Sequence, residues 1–182
     1  MNKFLSVLFI AVLSFQSFAD VAKDRKKVTD MRQKILTQLY KEEPSAKRKI
    51  EGAVGYATFS NIGINLFILS AGNGSGIVKN MQNGQETYMS MLSAGVGFGL
   101  GVKDFSAVFI FYTEDALNAF INEGWDFSGQ IDAAAKSGEK GAELSTAATV
   151  VAGVEIYQMT EAGLALQATL QGTKYWKDGD LN

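Results

Sequence analysis

Residues 93–112 read SAGVGFGLGVKDFSAVFIFY, and this stretch decides the predicted fold. Its first part alternates glycine with larger apolar residues, a period of two that is typical of a β-strand. Its second part, Phe105–Tyr112, is an apolar run of strand length, as expected of a strand that is buried on both faces. The stretch therefore predicts two strands within a β-rich core.

The alternating glycines share one face of the first of these strands and leave its backbone nearly bare: Gly95, Gly97, Gly99 and Gly101. Because glycine weakens a strand, such a face usually marks the close approach of another group. Close packing of a helix or a second sheet is the simpler interpretation. A face for a ligand such as a lipid chain is the alternative.

The chain beyond Gly52 is alternating or continuously apolar and rich in turn residues, which predicts further strands. Asn83-Gly84 predicts a hairpin because both residues tolerate positive φ, and the glycines at 72, 74 and 76 predict a tight turn. One strand begins at Trp125. The others are predicted at 53–59, 63–71, 76–80, 86–94, 144–159 and 164–173.

One helix is predicted inside this β region. Thr113 suits a helix N-cap, Glu114 and Asp115 suit the positive end of the helix, and Gly124 can close it. The predicted fold class is α+β. It has a mainly antiparallel β-sheet core, sandwich or barrel-like, with N-terminal amphipathic helices and one internal helix near 114–123.

Two helices are predicted to precede the core. The first covers 21–43 and the second about 44–51; the first places on one face Val28, Met31, Ile35 and Leu39. Residues 20–52 contain ten lysines or arginines and six acids, whereas residues 53–182 contain six and thirteen. The charge split predicts a basic amphipathic helical segment, 20–52, and a glycine-rich β core, 53–182.

Residues 1–19 have the pattern of a secretory signal peptide. Lys3 precedes an apolar run, and Ser17 and Ala19 stand at the minus-three and minus-one positions. The run is shorter than the roughly 20 apolar residues of a membrane span. We therefore expect cleavage near Ala19 and a periplasmic or secreted protein, with peripheral membrane contact as one option.

The residue types argue against most catalytic chemistry. The chain has no histidine and no cysteine, so it lacks the usual general base, thiol nucleophiles and the preferred ligands of zinc and haem. Ser137 and Lys140 match a Ser-x-x-Lys spacing, but the partner motifs of that enzyme class are missing. We expect no catalytic residue, cofactor or metal, and no enzyme. Export and a net charge of −2 argue against a nucleic-acid partner.

Basic residues of the two helices are the candidate contacts for anionic lipid head groups: Arg25, Lys26, Lys27, Lys47, Arg48 and Lys49. Each basic residue near an anionic membrane surface contributes about 1 kcal/mol. The alternative is that nearby acids, at 24, 30, 42 and 43, pair with them on an ordinary solvated helix. The sequence leaves both interpretations open.

Three segments together resemble the SYLF domain family, a lipid-binding domain also found in yeast actin-patch regulators. They are VGYATFSNIGINLFILSAGNGSGIV, GVGFGLGVKDFSAVFIFYTEDALNAF and GLALQATLQGTKY. Their order and spacing match over about residues 46–176, and the glycine-alternating strand before Lys103-Asp104 is one of the matching features. The chain departs from the family at Phe59-Ser60, where Phe-Pro is usual.

The resemblance implies phospholipid binding, with an amphipathic N-terminal segment contributing to membrane contact. Actin binding belongs to the eukaryotic branch of the family, and we expect none in an exported chain of the bacterial branch. A protein partner is unknown. The predicted function is an exported, non-enzymatic protein that binds anionic phospholipid membrane in the cell envelope. Two alternatives stay open: a small outer-membrane β-barrel, and a periplasmic structural or interaction module.

Overall fold

The computed structural model describes residues 2–61, 74–93, 105–126, 149–151, 153–160, 163–164 and 173–182, with the backbone alone at 2–19, 93 and 149–151. The helices in these ranges are α1 (Asn2–Glu42), α2 (Ser45–Glu51) and α3 (Glu114–Glu123). The strands are β1 (Gly55–Ser60), β2 (Gly74–Asn80), β3 (Glu86–Ser93), β4 (Ser106–Phe111), β5 (Trp125–Asp126), β6 (Thr149–Val151), β7 (Val154–Thr160), β8 (Gly163–Leu164) and β9 (Thr173–Lys177).

The described strands form one antiparallel sheet. Its order is β5-β9-β3-β2-β1-β4-β7-β6, and β8 pairs with the end of β7. The predicted α+β class with a mainly antiparallel core is confirmed. The sheet is single and curled, which corresponds to the barrel-like rather than the sandwich form of the prediction.

The β4 strand lies between β1 and β7, inside the sheet, at the position of the apolar run Phe105–Tyr112. Each of its residues is buried. Because successive side chains of a strand point to opposite faces, Val108 and Ile110 enter the core under α1, whereas Phe109 and Phe111 enter the core under α3. The prediction of a strand buried on both faces is confirmed.

Helices on the two faces of the sheet enclose two cores. The α1 core is mostly aliphatic: Val28, Met31, Ile35, Leu36, Leu39, Ala46, Ile50, Ala53, Tyr56, Ile77, Val108, Ile110, Tyr157, Met159 and Leu181. The α3 core is rich in aromatic rings: Ala57, Phe59, Val78, Met89, Met91, Phe105, Ala107, Phe109, Phe111, Leu117, Phe120, Val154, Ile156 and Tyr175. Alternate side chains of one strand thus pack into different cores on the two faces of the sheet.

Both predicted N-terminal helices are present, although the first begins earlier than predicted. The α1 helix starts at Asn2 rather than near residue 21. The α2 helix follows Pro44 and ends before Gly52, as expected because proline has the φ of a first helical turn. Cleavage near Ala19 stays a prediction. Over the residues described, the helices include none that is both long and apolar enough to cross a bilayer.

The α3 helix has the predicted bounds and caps. The Oγ1 atom of Thr113 accepts a hydrogen bond from the backbone N–H of Ala116 at 3.3 Å, and Gly124 ends the helix at a φ of +70°. Positive φ costs glycine little because it has no Cβ. The helix packs Leu117 and Phe120 onto the sheet.

Two local predictions are wrong. The predicted strand 144–159 is interrupted, because Gly153 turns the chain and Val151 pairs with Val154 in a tight hairpin. The glycines at 74 and 76 lie inside β2 rather than in a turn. The ring of Phe59 lies over Gly76, so an added Cβ would stand 2.1 Å from its Cδ1 atom. That glycine is required by close packing.

The Asn83-Gly84 hairpin is confirmed between β2 and β3, where Lys79 pairs with Glu86. Other predictions fall outside the described residues. They are the strand 63–71, most of the strand 164–173, the Ser137 and Lys140 spacing, and the bare face formed by Gly95, Gly97, Gly99 and Gly101.

Candidate lipid head-group surface

The α1 helix lies on the sheet with its apolar face inward. Val28, Met31, Ile35 and Leu39 recur at three- and four-residue steps, and each is at most 8% exposed. The apolar face that an amphipathic helix usually inserts into a membrane is therefore occupied by the protein's own core along this part of α1. A membrane contact made here would have to use the polar face.

The polar face of α1 carries exposed lysines that we call the outer lysine stripe: Lys23, Lys26, Lys27, Lys34 and Lys41. Their spacing by three, four and seven residues places them along one side of the helix. Two members have acidic neighbours on the same helix. The Nζ atom of Lys26 lies 2.6 Å from an Asp30 carboxylate oxygen, and that of Lys27 lies 2.6 Å from Asp24.

The other three members of the stripe, Lys23, Lys34 and Lys41, form no ion pair with any described residue. Both pairs are intrahelical. The pair of Lys26 is exposed on both sides and contributes about 0.2–0.5 kcal/mol, whereas Lys27 contacts the buried Asp24. Pairing with nearby acids, the alternative interpretation of the basic segment, thus applies to only part of the stripe.

In α2, the three consecutive basic residues have different surroundings. Lys47 is exposed, with its Nζ atom 4.0 Å from Glu51. Arg48 is exposed and forms no ion pair with a described residue. Lys49 points to the sheet and contacts Glu155. Two of these three predicted contacts therefore face solvent.

Arg25 also makes an internal contact. Its Nε atom donates a hydrogen bond to the carbonyl oxygen of Leu181 at 2.7 Å, and its guanidinium lies 5.5 Å from the ring centre of Tyr88. These contacts join α1 to β3 and to the end of the described chain. Of the six residues predicted to contact lipid, Arg25 and Lys49 are thus engaged inside the protein, whereas the other four face solvent.

A buried carboxylate holds Lys49 in place. Glu155 is 5% exposed; one of its oxygens accepts hydrogen bonds from Lys49 at 2.7 Å and Tyr157 at 2.7 Å, and the other accepts from Tyr112 at 2.5 Å. Burial by itself would raise the pKa of Glu155, but these hydrogen bonds outweigh burial and hold the pKa below its ordinary value. The network anchors α2 to β7.

A second ion pair, which is partly buried, anchors the middle of α1. Arg32 donates to a Glu86 oxygen at 2.8 Å, and Lys79 lies 3.2 Å from the same oxygen. Burial would raise the pKa of Glu86, yet the hydrogen bonds from Arg32 and Lys79 lower it. Lys49 and Arg32, which anchor the helices to these carboxylates, therefore act within the fold rather than at the outer surface.

The opposite side of the sheet carries the opposite charge. Glu114, Asp115 and Glu123 are exposed on α3, and the segment Glu114–Glu123 contains no lysine or arginine. The described part of the molecule is therefore polarised, with a basic α1 side and an acidic α3 side. Near an anionic surface, such a charge distribution orients the molecule with its basic side toward that surface.

Sequence reasoning missed three exposed cations of the stripe, Lys23, Lys34 and Lys41. A signal was present, because Lys27, Lys34 and Lys41 are separated by seven residues, or two helical turns. The prediction instead used runs of adjacent basic residues. Adjacent residues on a helix point in different directions, which is why the run 47–49 splits between solvent and sheet.

The fold and the surface together define a class: an α+β domain with one antiparallel sheet, covered on one face by a basic N-terminal helix. A family model described as "Las17-binding protein actin regulator" (Ysc84) matches residues 92–182. The chain belongs to this family, which is the SYLF domain family, and the resemblance noted from the sequence is confirmed.

The chain is similar to Beta cell expansion factor A of Aeromonas veronii. It is 36% identical over 154 residues, a match that covers 85% of this chain and 57% of the relative. The chain therefore spans less than two thirds of the length of that relative.

Proposed function

We propose that the protein is an exported, non-enzymatic lipid-binding protein that attaches to anionic phospholipid surfaces through the polar face of α1. The observation that carries the proposal is the outer lysine stripe, which faces solvent on the side of the sheet opposite to the acidic α3 helix. A basic surface of this kind attracts anionic head groups.

The attachment is expected to be weak and reversible. Lys23, Lys34, Lys41 and Arg48 are the exposed cations of α1 and α2 that form no ion pair with a described residue, and at roughly 1 kcal/mol each they contribute about 4 kcal/mol. A free energy of that size corresponds to a dissociation constant of about 1 mM. Salt screens such surface charges over a Debye length of about 8 Å at physiological ionic strength, so binding should weaken as salt is added.

Insertion of apolar side chains from the described surface contributes little to this attachment. The exposed large apolar residues there are Met81 and Tyr112, and neither belongs to α1. Since the apolar face of α1 is buried in its own core, the proposed contact is electrostatic and peripheral. The family resemblance implies that the amphipathic N-terminal segment contributes to membrane contact, and in this proposal its polar face makes that contact.

The proposed location is the cell envelope, reached after cleavage near Ala19. The family description names Las17 binding and actin regulation. We do not extend either to this chain, because a protein exported by its signal peptide is separated from cytosolic partners. The name of the Aeromonas relative describes an effect on beta cells and gives no chemistry to transfer.

Co-sedimentation of the mature protein with vesicles tests the proposal. Vesicles that contain phosphatidylglycerol should pellet the protein, phosphatidylcholine vesicles should not, and added salt should release it. The triple variant Lys23→Gln, Lys34→Gln, Lys41→Gln removes the three unpaired lysines of the stripe and should reduce binding at least tenfold.

The matched control is the triple variant Glu114→Gln, Asp115→Asn, Glu123→Gln, which changes the same number of charges on the other side of the sheet. Its binding should differ from wild type far less than that of the lysine variant. Equal and opposite effects of the two variants would mean that net charge alone governs binding. Recovery of wild type in the supernatant with anionic vesicles would refute the proposal.

A further inference from the structure

The α3 side of the molecule contains a polar recess of 190 Å³ between α3, β9 and the β2–β3 turn, which we call the amide recess. The turn contributes Asn80, Asn83 and Gln85 to its lining. The α3 helix contributes Asn118 and Asn122, which are four residues apart and therefore lie on the same helical face. Five side-chain amides thus line one small space.

Two of these amides are oriented by the turn itself. The Oδ1 atom of Asn80 accepts hydrogen bonds from the backbone N–H groups of Gln82 at 2.9 Å and Asn83 at 3.2 Å, and that of Asn83 accepts from Gln85 at 2.9 Å. Because an asparagine has one carbonyl oxygen and one NH₂ group, this leaves both NH₂ groups as donors. The turn therefore supplies hydrogen-bond donors in fixed positions.

The lining of the recess carries one positive charge. Lys177, on β9, is exposed and is the charged residue of the lining, which contains no aspartate or glutamate. The amides of Asn118 and Asn122 offer both a donor and an acceptor, as a hydroxyl group does. The lining thus complements a molecule that carries several hydroxyls and one anionic group.

The size and polarity of the recess limit its ligand. Pockets for drug-sized molecules usually have about 300–1,000 Å³ and a mainly apolar lining, whereas this one has 190 Å³ and a single large apolar side chain, Ile121, in its lining. It has room for a group of head-group size. An acyl chain would find little apolar surface in it.

We propose that the amide recess binds a small polyol that carries one phosphate, of which glycerol phosphate is the simplest example. Lys177 contacts the phosphate, and the amides on the turn and on α3 contact the hydroxyls. This chemistry occurs both in soluble glycerol phosphate and in the head group of phosphatidylglycerol. The recess lies across the sheet from the outer lysine stripe, so it is a separate site.

The probe is sn-glycerol 3-phosphate, titrated into isotope-labelled full-length chain and followed by the NMR signals of the asparagine NH₂ groups. Saturable shifts at the recess are expected. Lys177→Gln should weaken binding about tenfold, because a charge-assisted hydrogen bond is lost. Asn122→Leu, which removes an amide at similar volume, should weaken binding by severalfold. Both positions are exposed, so thermal unfolding should confirm that the variants fold.

Lys174→Gln is the matched control, because it removes one positive charge from an exposed position of the same strand that does not line the recess, and it should leave the affinity unchanged. An absence of shifts at the recess with millimolar probe would overturn the proposal. Inorganic phosphate that binds as tightly as glycerol phosphate would overturn the role of the amides. Loss of binding in the lysine-stripe triple variant would overturn the separation of the two sites.

A second arm identifies the source of the ligand. Short-chain phosphatidylglycerol, dispersed below its micelle concentration, should produce the same shifts if the site accepts the lipid head group. Shifts with the soluble ester alone would assign the recess to a soluble polyol phosphate. Either result, when it is lost in Lys177→Gln, supports the proposed chemistry.

Discussion

The two layers that cover the sheet differ in their interiors and in their surfaces. The α1 layer has an aliphatic core and a basic exterior, whereas the α3 layer has an aromatic core and an acidic exterior. One strand, β4, supplies alternate side chains to both. A single sheet can therefore keep the aromatic contacts that stabilise it on one face and the surface proposed to contact a membrane on the other.

The largest effect should come from the aromatic core. The ring of Phe109 lies 5.2–5.8 Å from the rings of Phe59, Phe120, Trp125 and Tyr175, centre to centre. Phe109→Ala should lower the free energy of unfolding by about 3–5 kcal/mol, as measured by urea denaturation, because it leaves a cavity among four rings.

Leu39→Ala is the counterpart in the α1 core, where Leu39 is fully buried. It lies in the mostly aliphatic core and should cost less than Phe109→Ala, within the usual range of about 2–5 kcal/mol. Equal losses of free energy of unfolding for the two substitutions would show that the two cores differ in composition but contribute equally to stability.

Close packing in the α3 layer should make Gly76→Ala costly. The new Cβ would lie 2.1 Å from a ring carbon of Phe59 and 2.6 Å from the carbonyl oxygen of Thr58, so both ring and backbone must shift. We expect a loss of about 1–3 kcal/mol of stability in urea. Gly179→Ala, where a Cβ meets no atom within 4 Å, should stay within about 0.5 kcal/mol of wild type.

Acid should loosen the α1 layer through the buried carboxylate of Glu155. The pKa of Glu155 is lower in the folded than in the unfolded protein, where it is near 4.3. The stability that Glu155 adds is therefore complete above about pH 4.3 and is lost as the pH falls through its folded pKa. Glu155→Gln should cost about 1–3 kcal/mol at pH 7, because it leaves Lys49 without its charged partner.

Urea denaturation at pH 7 and at pH 3 measures how much stability each protein loses on acidification. Wild type should lose more stability over this interval than Glu155→Gln does. Lys47→Met, which removes a neighbouring exposed cation whose nearest carboxylate oxygen is 4.0 Å away, should keep the pH dependence of wild type. The same pH dependence in Glu155→Gln would argue against the anchoring role of Glu155.

The smallest effect on stability should come from the outer surface of α1. Asp30→Asn breaks the exposed pair with Lys26, which contributes about 0.2–0.5 kcal/mol. The urea midpoint should hardly change. Binding to phosphatidylglycerol vesicles should increase, because the stripe gains an unpaired lysine and loses an acid; a decrease would contradict the orientation proposed for α1.

Local patterns were sufficient to predict β4, α3 and the two N-terminal helices. Each depends on neighbouring residues, such as the cap at Thr113 or the repeat of apolar residues that begins at Val28. The turn at Gly153 was missed because it lies within an apolar run, TVVAGVEIY, that has no polar turn residue. A glycine alone distinguishes poorly between a turn and a packed strand, as Gly76 also demonstrates.

The surface was harder to predict than the fold. The sequence identified the basic segment but not which of its residues face solvent, because the partners of Arg25 and Lys49 lie 156 and 106 residues away. Contacts over such distances leave no local pattern. The amide recess was missed for the same reason, since α3, β9 and the hairpin turn meet only in the folded protein.

The contact between Arg25 and Leu181 has a consequence for the order of folding. It closes a loop of 156 residues. The entropic cost of closing a loop increases with its length, and contacts between distant residues form more slowly than local ones. The hairpins of the sheet can therefore form before α1 docks, and during that interval the aliphatic face of the sheet is exposed to water. Pulse-labelled hydrogen exchange should detect protection of β1–β4 amides earlier than protection of α1.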